Sequence, residues 1–240
     1  MFVTITSSIG FLPVPFFLIF GGTLMHFSDN RKNKTFTYIR EAIAIVSIVF
    51  GAYYVIHEND SGIVVSIIEI IIVLALGLFL GYKCKSKNKE LLTRTSLFIL
   101  FSVYFTVVVV FFSKFIFCRP RFIWIVKSGL DNYRNFWQID KNLKEVSIAA
   151  GVDSHMFRSL PSGHACASTA IILTCCFPLL FKNMKDKSLL LYLISIAFII
   201  VICSGRIVGG YHFLSDVSIG SFVTFVGVTF AEKVLMRIYE

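Results

Sequence analysis

Seven stretches of this 240-residue chain are apolar almost without a break, and short polar connections separate them. They run approximately over residues 5–27, 41–57, 63–82, 95–113, 165–181, 188–205 and 217–235. Each is long enough, or nearly so, to cross a hydrocarbon layer of about 30 Å as a helix. The pattern predicts an all-α, polytopic membrane bundle: six core transmembrane helices and one extra N-terminal hydrophobic segment. That first segment lacks the basic start and small-residue cleavage site of a signal peptide. Pro13 and Pro15 interrupt it, so it reads as a kinked span or an interfacial helix, the kinked span being preferred. Glu69 falls inside the third stretch, where an acid is either functional or a buried polar contact between helices.

The polar connections orient the bundle. The linkers SDNRKNKTFTYIR (28–40), KCKSKNKELLTR (83–94) and KNMKDK (182–187) are strongly basic, whereas ENDSG (58–62) is acidic. With the basic linkers in the cytoplasm, every other connection alternates to the outside. Residues 114–164, residues 206–216 and the N-terminus are then expected on the outer face.

Composition agrees. Hydrophobic residues make up 56% of the chain and charged residues 15%, against about a quarter charged in an ordinary soluble domain. No linker, low-complexity tract or internal repeat divides the chain, so residues 1–240 are expected to form one domain. The net charge of +9 sits between apolar blocks rather than among exposed aromatics, which argues against nucleic acid as a partner. The six cysteines show no zinc spacing, Cys175 and Cys176 read as packing residues, and a Cys118–Cys203 disulfide is an open reading.

Unusual residues collect in the outer connections. In SKFIFCRPRFIW, Lys114, Arg119 and Arg121 follow the fourth stretch; they either snorkel to headgroups or converge on an anion such as phosphate. In SLPSGHA, Ser162 and Gly163 precede an apolar run. There they cap a helix, or join its free N–H groups and positive dipole end in an anion site beside His164. In SGRIVGGYHFLSDV, His212 and Asp216 are four residues apart, one helical turn, with Arg206 six residues earlier. Asp216 at that offset can fix the His212 tautomer and leave the other ring nitrogen as a nucleophile. Gly209 and Gly210 allow a sharp turn between Arg206 and His212.

Together these stretches resemble the three signature motifs of the type 2 phosphatidic acid phosphatase superfamily, K-x6-R-P, P-S-G-H and S-R-x5-H-x3-D. Lys114 and Arg121 match the first spacing, with Phe122 in place of its proline and Pro120 just ahead of the arginine. Pro161, Ser162, Gly163 and His164 match the second completely. Arg206, His212 and Asp216 match the third, with Gly205 where the family has serine. The resemblance covers approximately residues 95–235. Spacing favours Arg121 over Arg119 as the first-motif phosphate ligand, although CRP also contains an Arg-Pro pair.

The resemblance implies a metal-independent phosphatase without cofactors. His212 would be the nucleophile, Asp216 its support and His164 the acid that then activates water. Lys114, Arg121, Ser162, Gly163 and Arg206 would hold the phosphoryl oxygens. A site at headgroup depth implies a lipid phosphate: phosphatidic acid, phosphatidylglycerol phosphate, a polyprenyl diphosphate such as undecaprenyl diphosphate, or a lipid A phosphate. The expected setting is a bacterial cytoplasmic (inner) membrane, with the site on the periplasmic or outer side. Trp124, Tyr133, Phe136 and Trp137 suit a loop lying on the membrane and selecting the lipid, or an ordinary packed loop. Other readings are a non-catalytic lipid-phosphate-binding or transport protein that retains the anion site, and an anion transporter. The acid–nucleophile pair argues against the binding protein. A transporter calls for charged or broken helices near the midplane, where only Glu69 is found.

Overall fold

The computed structural model describes residues 2–28, 34–58 and 63–236. Residues 29–33 of the first basic linker and residues 59–62 of the acidic ENDSG connection lie outside the described residues. Among the described residues there is no β-strand, and eleven α-helices follow one another. They are α1 (Phe2–Gly10), α2 (Pro13–Phe27), α3 (Lys34–Glu58), α4 (Ile63–Lys83), α5 (Lys89–Phe117) and α6 (Phe122–Ser128). After these come α7 (Lys141–Ala149), α8 (Gly163–Thr169), α9 (Phe177–Leu180), α10 (Ser188–Val208) and α11 (Leu214–Leu235). Among the described residues, seven helical segments are long and apolar enough to cross a membrane, as the sequence pattern predicts.

Two expectations change in detail. The stretch 165–181 is not one α-helix: α8 passes into a 3-10 segment, Ala170–Cys176, before α9. β-Branched Ile171, Ile172 and Thr174 lie in that segment, and Pro178 follows at the start of α9, all poor material for an α-helix interior. The N-terminal segment is neither peripheral nor interfacial. In Thr6–Phe27, 78% of the most apolar stretch is buried, against 17% for Ser188–Val208. The kink falls at the α1–α2 junction, where Pro13 and Pro15 open α2 and give up N–H groups that a helix start leaves unpaired.

α2 thus forms the bundle's axis, with Phe17, Leu18, Ile19, Phe20 and Leu24 almost fully buried. Small residues let the neighbours close on it. A Cβ on Gly77 of α4 would come within 2.7 Å of Ile19. The outward faces of the ring stay apolar: Val64, Leu189 and Phe222 are among the most exposed side chains. In water such a surface is untenable, but against lipid it is the expected finish.

α5 has 29 residues, about 44 Å at 1.5 Å per residue, and overshoots a hydrocarbon core of about 30 Å. The overshoot carries Lys114 to one end of the bundle. The C-terminus of α10, the N-termini of α8 and α11, and α1 meet it there. The basic connections 84–88 and 181–187 lie at the opposite end, beside the C-terminus of α2, whose Phe27 carbonyl bonds the Lys89 ammonium. Cys118 and Cys203 are free thiols, so the disulfide reading is withdrawn.

Candidate active site

The three polar stretches are tied together by main-chain hydrogen bonds. α5 ends where Cys118 adopts a left-handed conformation, φ 46°, and turns the chain across the end of the bundle. The Arg119 carbonyl then accepts from Ser159 N at 3.1 Å, and Arg121 N donates to the Met156 carbonyl at 2.7 Å. Ile123 N donates to the Gly210 carbonyl at 2.8 Å, and Ser162 N to the Asp216 carbonyl at 3.0 Å. Each bond joins a residue in or next to one motif to a residue of another stretch. Gly210, at φ 68°, makes the left-handed turn before His212 that other residues resist.

Asp216 sits fully buried in the first turn of α11. Its carboxylate accepts from the Arg119 guanidinium, from the Ser159 hydroxyl at 2.5 Å and from the Phe213 amide at 3.1 Å. The last bond caps α11, whose dipole favours an acid there. Arg119 is itself 2% exposed, bonded to the Ser215 hydroxyl at 2.7 Å, and lies over the Phe213 ring. The two neighbouring arginines are placed differently. Arg119 is committed to Asp216, while Arg121 lies close enough to His164 and His212 to act electrostatically on both.

His212 is held differently from the expectation. Its Nδ1 lies 2.9 Å from the Ser159 carbonyl oxygen and 3.8 Å from Asp216 Oδ2. The main-chain carbonyl can only accept, so Nδ1 carries the proton and Nε2 keeps its lone pair. Asp216 acts on the imidazole as a nearby charge rather than as its direct hydrogen-bond acceptor. Burial holds the His212 pKa down at about 4; Arg206 and Arg121 push the same way, and Asp216 opposes them. At neutral pH the ring is therefore uncharged.

His164, 7% exposed, stands at the second position of α8. Arg206, His212, Lys114 and Arg121 all lie near enough to exert a field on it. Ser162 caps α8, its hydroxyl accepting from Ala165 N at 3.4 Å. Lys114 Nζ stands 3.2 Å from where a Cβ on Gly163 would be, so the ammonium lies over the start of that helix. Gly220 of α11 permits this arrangement: a Cβ there would stand 2.8 Å from the Ser162 carbonyl oxygen. Arg206 is buried, with its guanidinium over the Tyr211 ring at 4.3 Å.

All eight residues singled out from the sequence thus gather at one end of the bundle. The sequence reading missed Ser159, whose hydroxyl and carbonyl hold Asp216 and His212, and Phe11, whose ring lies on His164 at 3.7 Å between centroids. No spacing signal marks either one. Glu69 is not part of this group. It borders a small void with Ser8, Phe11 and Leu12. Among the described residues, no group of three or more His, Cys, Asp or Glu is arranged to hold a metal ion.

A cavity of about 140 Å³ opens beside Lys114 and Gly163. Val14, Val107, Val110 and Phe111 give it apolar walls, and Arg158 lies with Lys114 on its polar side. In the loop between the first two motifs, Trp124 packs on buried Phe157, with ring centroids 4.9 Å apart, whereas Trp137 is 63% exposed.

The family model of the PAP2 superfamily matches residues 95–238. Comparison with curated proteins and with solved structures yields no significant match.

Proposed function

The chain belongs to the PAP2 superfamily, and on that premise we propose that it is an integral-membrane lipid phosphate phosphatase working through a phosphohistidine. Membership supports phosphoester hydrolysis in general. One observation carries the finer reading: a buried His212 with Nδ1 tied to a carbonyl, close to a second buried histidine and to three cations.

In the first step His212 Nε2 attacks phosphorus, the N–P bond forms and the bond from phosphorus to the leaving oxygen breaks. The anionic phosphoryl group, once bound, offsets the field of the surrounding cations, so that His164 takes up a proton with the substrate. His164 then gives that proton to the leaving oxygen. Lys114, Arg121 and Arg206, with the Ser162 hydroxyl and Gly163 N–H, stabilise the charge on the three equatorial oxygens. The phosphorylated ring becomes cationic, and the Asp216 carboxylate at 3.8 Å offsets that charge. In the second step His164 takes a proton from water, the hydroxide attacks phosphorus, the N–P bond breaks and phosphate leaves with His212 neutral again.

A lipid is favoured because the walls of the cavity beside Lys114 and Gly163 are apolar and the surrounding surface suits a membrane. The positive-inside tendency of the connections at the opposite end supports a site on the outer side of a bacterial cytoplasmic membrane. The test is phosphate release, with EDTA present, from detergent-dispersed phosphatidic acid, phosphatidylglycerol phosphate, undecaprenyl diphosphate and lipid A phosphate. Wild type is expected to release phosphate from at least one and His212→Ala from none. No release from any substrate would overturn the enzyme reading, and strong inhibition by EDTA would overturn metal independence.

A further inference from the structure

The third motif departs from its family at Gly205, which lacks a hydroxyl beside Arg206, and the N-terminal helix comes to lie in that place. A Cβ on Gly205 would collide with Thr6, standing 2.7 Å from both its Cβ and its Cγ2. One residue on, the Ser7 hydroxyl accepts a hydrogen bond from Arg206 Nη1 at 2.5 Å. One turn further, Gly10 passes close to His164 and Phe11 lays its ring on that imidazole. α1 therefore packs along the site through small residues on both sides of the contact. It lies wholly outside residues 95–238, which carry the three motifs.

We propose that Ser7 is a positioning residue of this site: its hydroxyl holds the Arg206 guanidinium toward the bound phosphoryl group, in place of a hydroxyl at position 205. Arg206 has a long side chain with several rotatable bonds, and ordering it before the anion arrives removes an entropic cost of binding. Tyr211 covers the face of the guanidinium and Ser7 fixes one of its edges. Hydrogen bonds to charged groups are the stronger kind. The proposal rests on the phosphate-site reading given above.

The test is binding of orthovanadate, a phosphate-shaped anion, to the detergent-solubilised full chain by isothermal titration, followed by steady-state kinetics. Arg206→Ala is expected to abolish binding, and Ser7→Ala to weaken it about tenfold with little change in melting temperature. Ser7→Thr, which keeps the hydroxyl, is expected to bind like wild type. Ser7→Cys keeps the size but only a weak acceptor, and is expected to behave like Ser7→Ala, so the test survives if the alanine variant does not fold. Gly205→Ser alone is expected to fail because Thr6 occupies the space. Combined with Thr6→Gly in the Ser7→Ala background, it is expected to restore binding. If Arg206→Ala loses the anion while Ser7→Ala and Ser7→Cys bind it as well as or better than wild type, the Ser7 proposal is overturned and the anion site stands. If wild type binds no orthovanadate, both are overturned.

Discussion

His212 Nδ1 lies 2.9 Å from the Ser159 carbonyl oxygen, while the Asp216 carboxylate, one helical turn away, stays 3.8 Å off and bonds Arg119 instead. Tautomer control and charge support are thus divided between two residues. Asp216→Asn is expected to leave the imidazole oriented but to strand the buried Arg119 charge. Breaking such a pair costs about 3–5 kcal/mol. Chemical denaturation in detergent is the measurement, and Ser159→Ala, which keeps its carbonyl, is expected to lose only about 1–2 kcal/mol. An Asp216→Asn protein that is as stable as wild type yet inactive would return the orienting role to the carboxylate.

The pH dependence follows from the depressed His212 pKa. In the unfolded chain this ring titrates near 6.5, and in the fold near 4. Between those values the unfolded state binds more protons, so stability falls as pH drops from about 6.5 to 4, by on the order of 3 kcal/mol, and levels off below. His212→Gln is expected to flatten that part of a stability–pH curve. In kcat/KM, the acid limb belonging to His212 is expected near pH 4, because the nucleophile stays neutral down to there. Arg121→Gln removes a cation that lowers this pKa, so its limb is expected to move upward.

The two neighbouring arginines separate cleanly by readout. Arg121→Gln is expected to lower kcat/KM by about a hundredfold or more, the usual effect of deleting one donor to a developing oxyanion, with stability nearly unchanged. Arg119→Gln is expected to cost about 3–5 kcal/mol of stability by leaving Asp216 buried and unbalanced. Equal stability losses in the two variants would mean that Arg121 is also a structural ion-pair partner.

How far the sequence reached can be seen from individual residues. Lys114, His164 and Arg206 were legible because covalent spacing puts them at helix ends, and the ends of spans are visible as breaks in hydropathy. Arg119 stood in view, but its commitment to Asp216, 97 positions later, has no sequence trace. Ser159 holds His212 through a main-chain carbonyl, which every residue possesses, and the bond from its hydroxyl to Asp216, 57 positions later, leaves no spacing signal. Ser7 and Phe11 lie in a segment whose prolines told of a kink, yet hydropathy alone gave no sign that α1 packs along the site or that α2 forms the axis of the bundle. Central and peripheral spans look alike in composition, because lipid and protein interior are both apolar.

The loop aromatics, grouped by the sequence as one interfacial set, divide into two roles. Trp124 packs on Phe157, which is 0% exposed, so Trp124→Ala is expected to destabilise the protein by about 2–3 kcal/mol and to lower activity on every substrate alike. Trp137 projects with Phe136 and Ile139 from the end of the bundle that carries the site, and an exposed apolar cluster there suits the headgroup region. Trp137→Ala is expected to leave stability and hydrolysis of a short-chain, micellar phosphate ester unchanged. On the same headgroup presented in a bilayer vesicle it is expected to raise KM several-fold, since burying one indole at the interface contributes about 1–2 kcal/mol. Equal kinetics for wild type and Trp137→Ala on vesicles would leave this loop as ordinary packing.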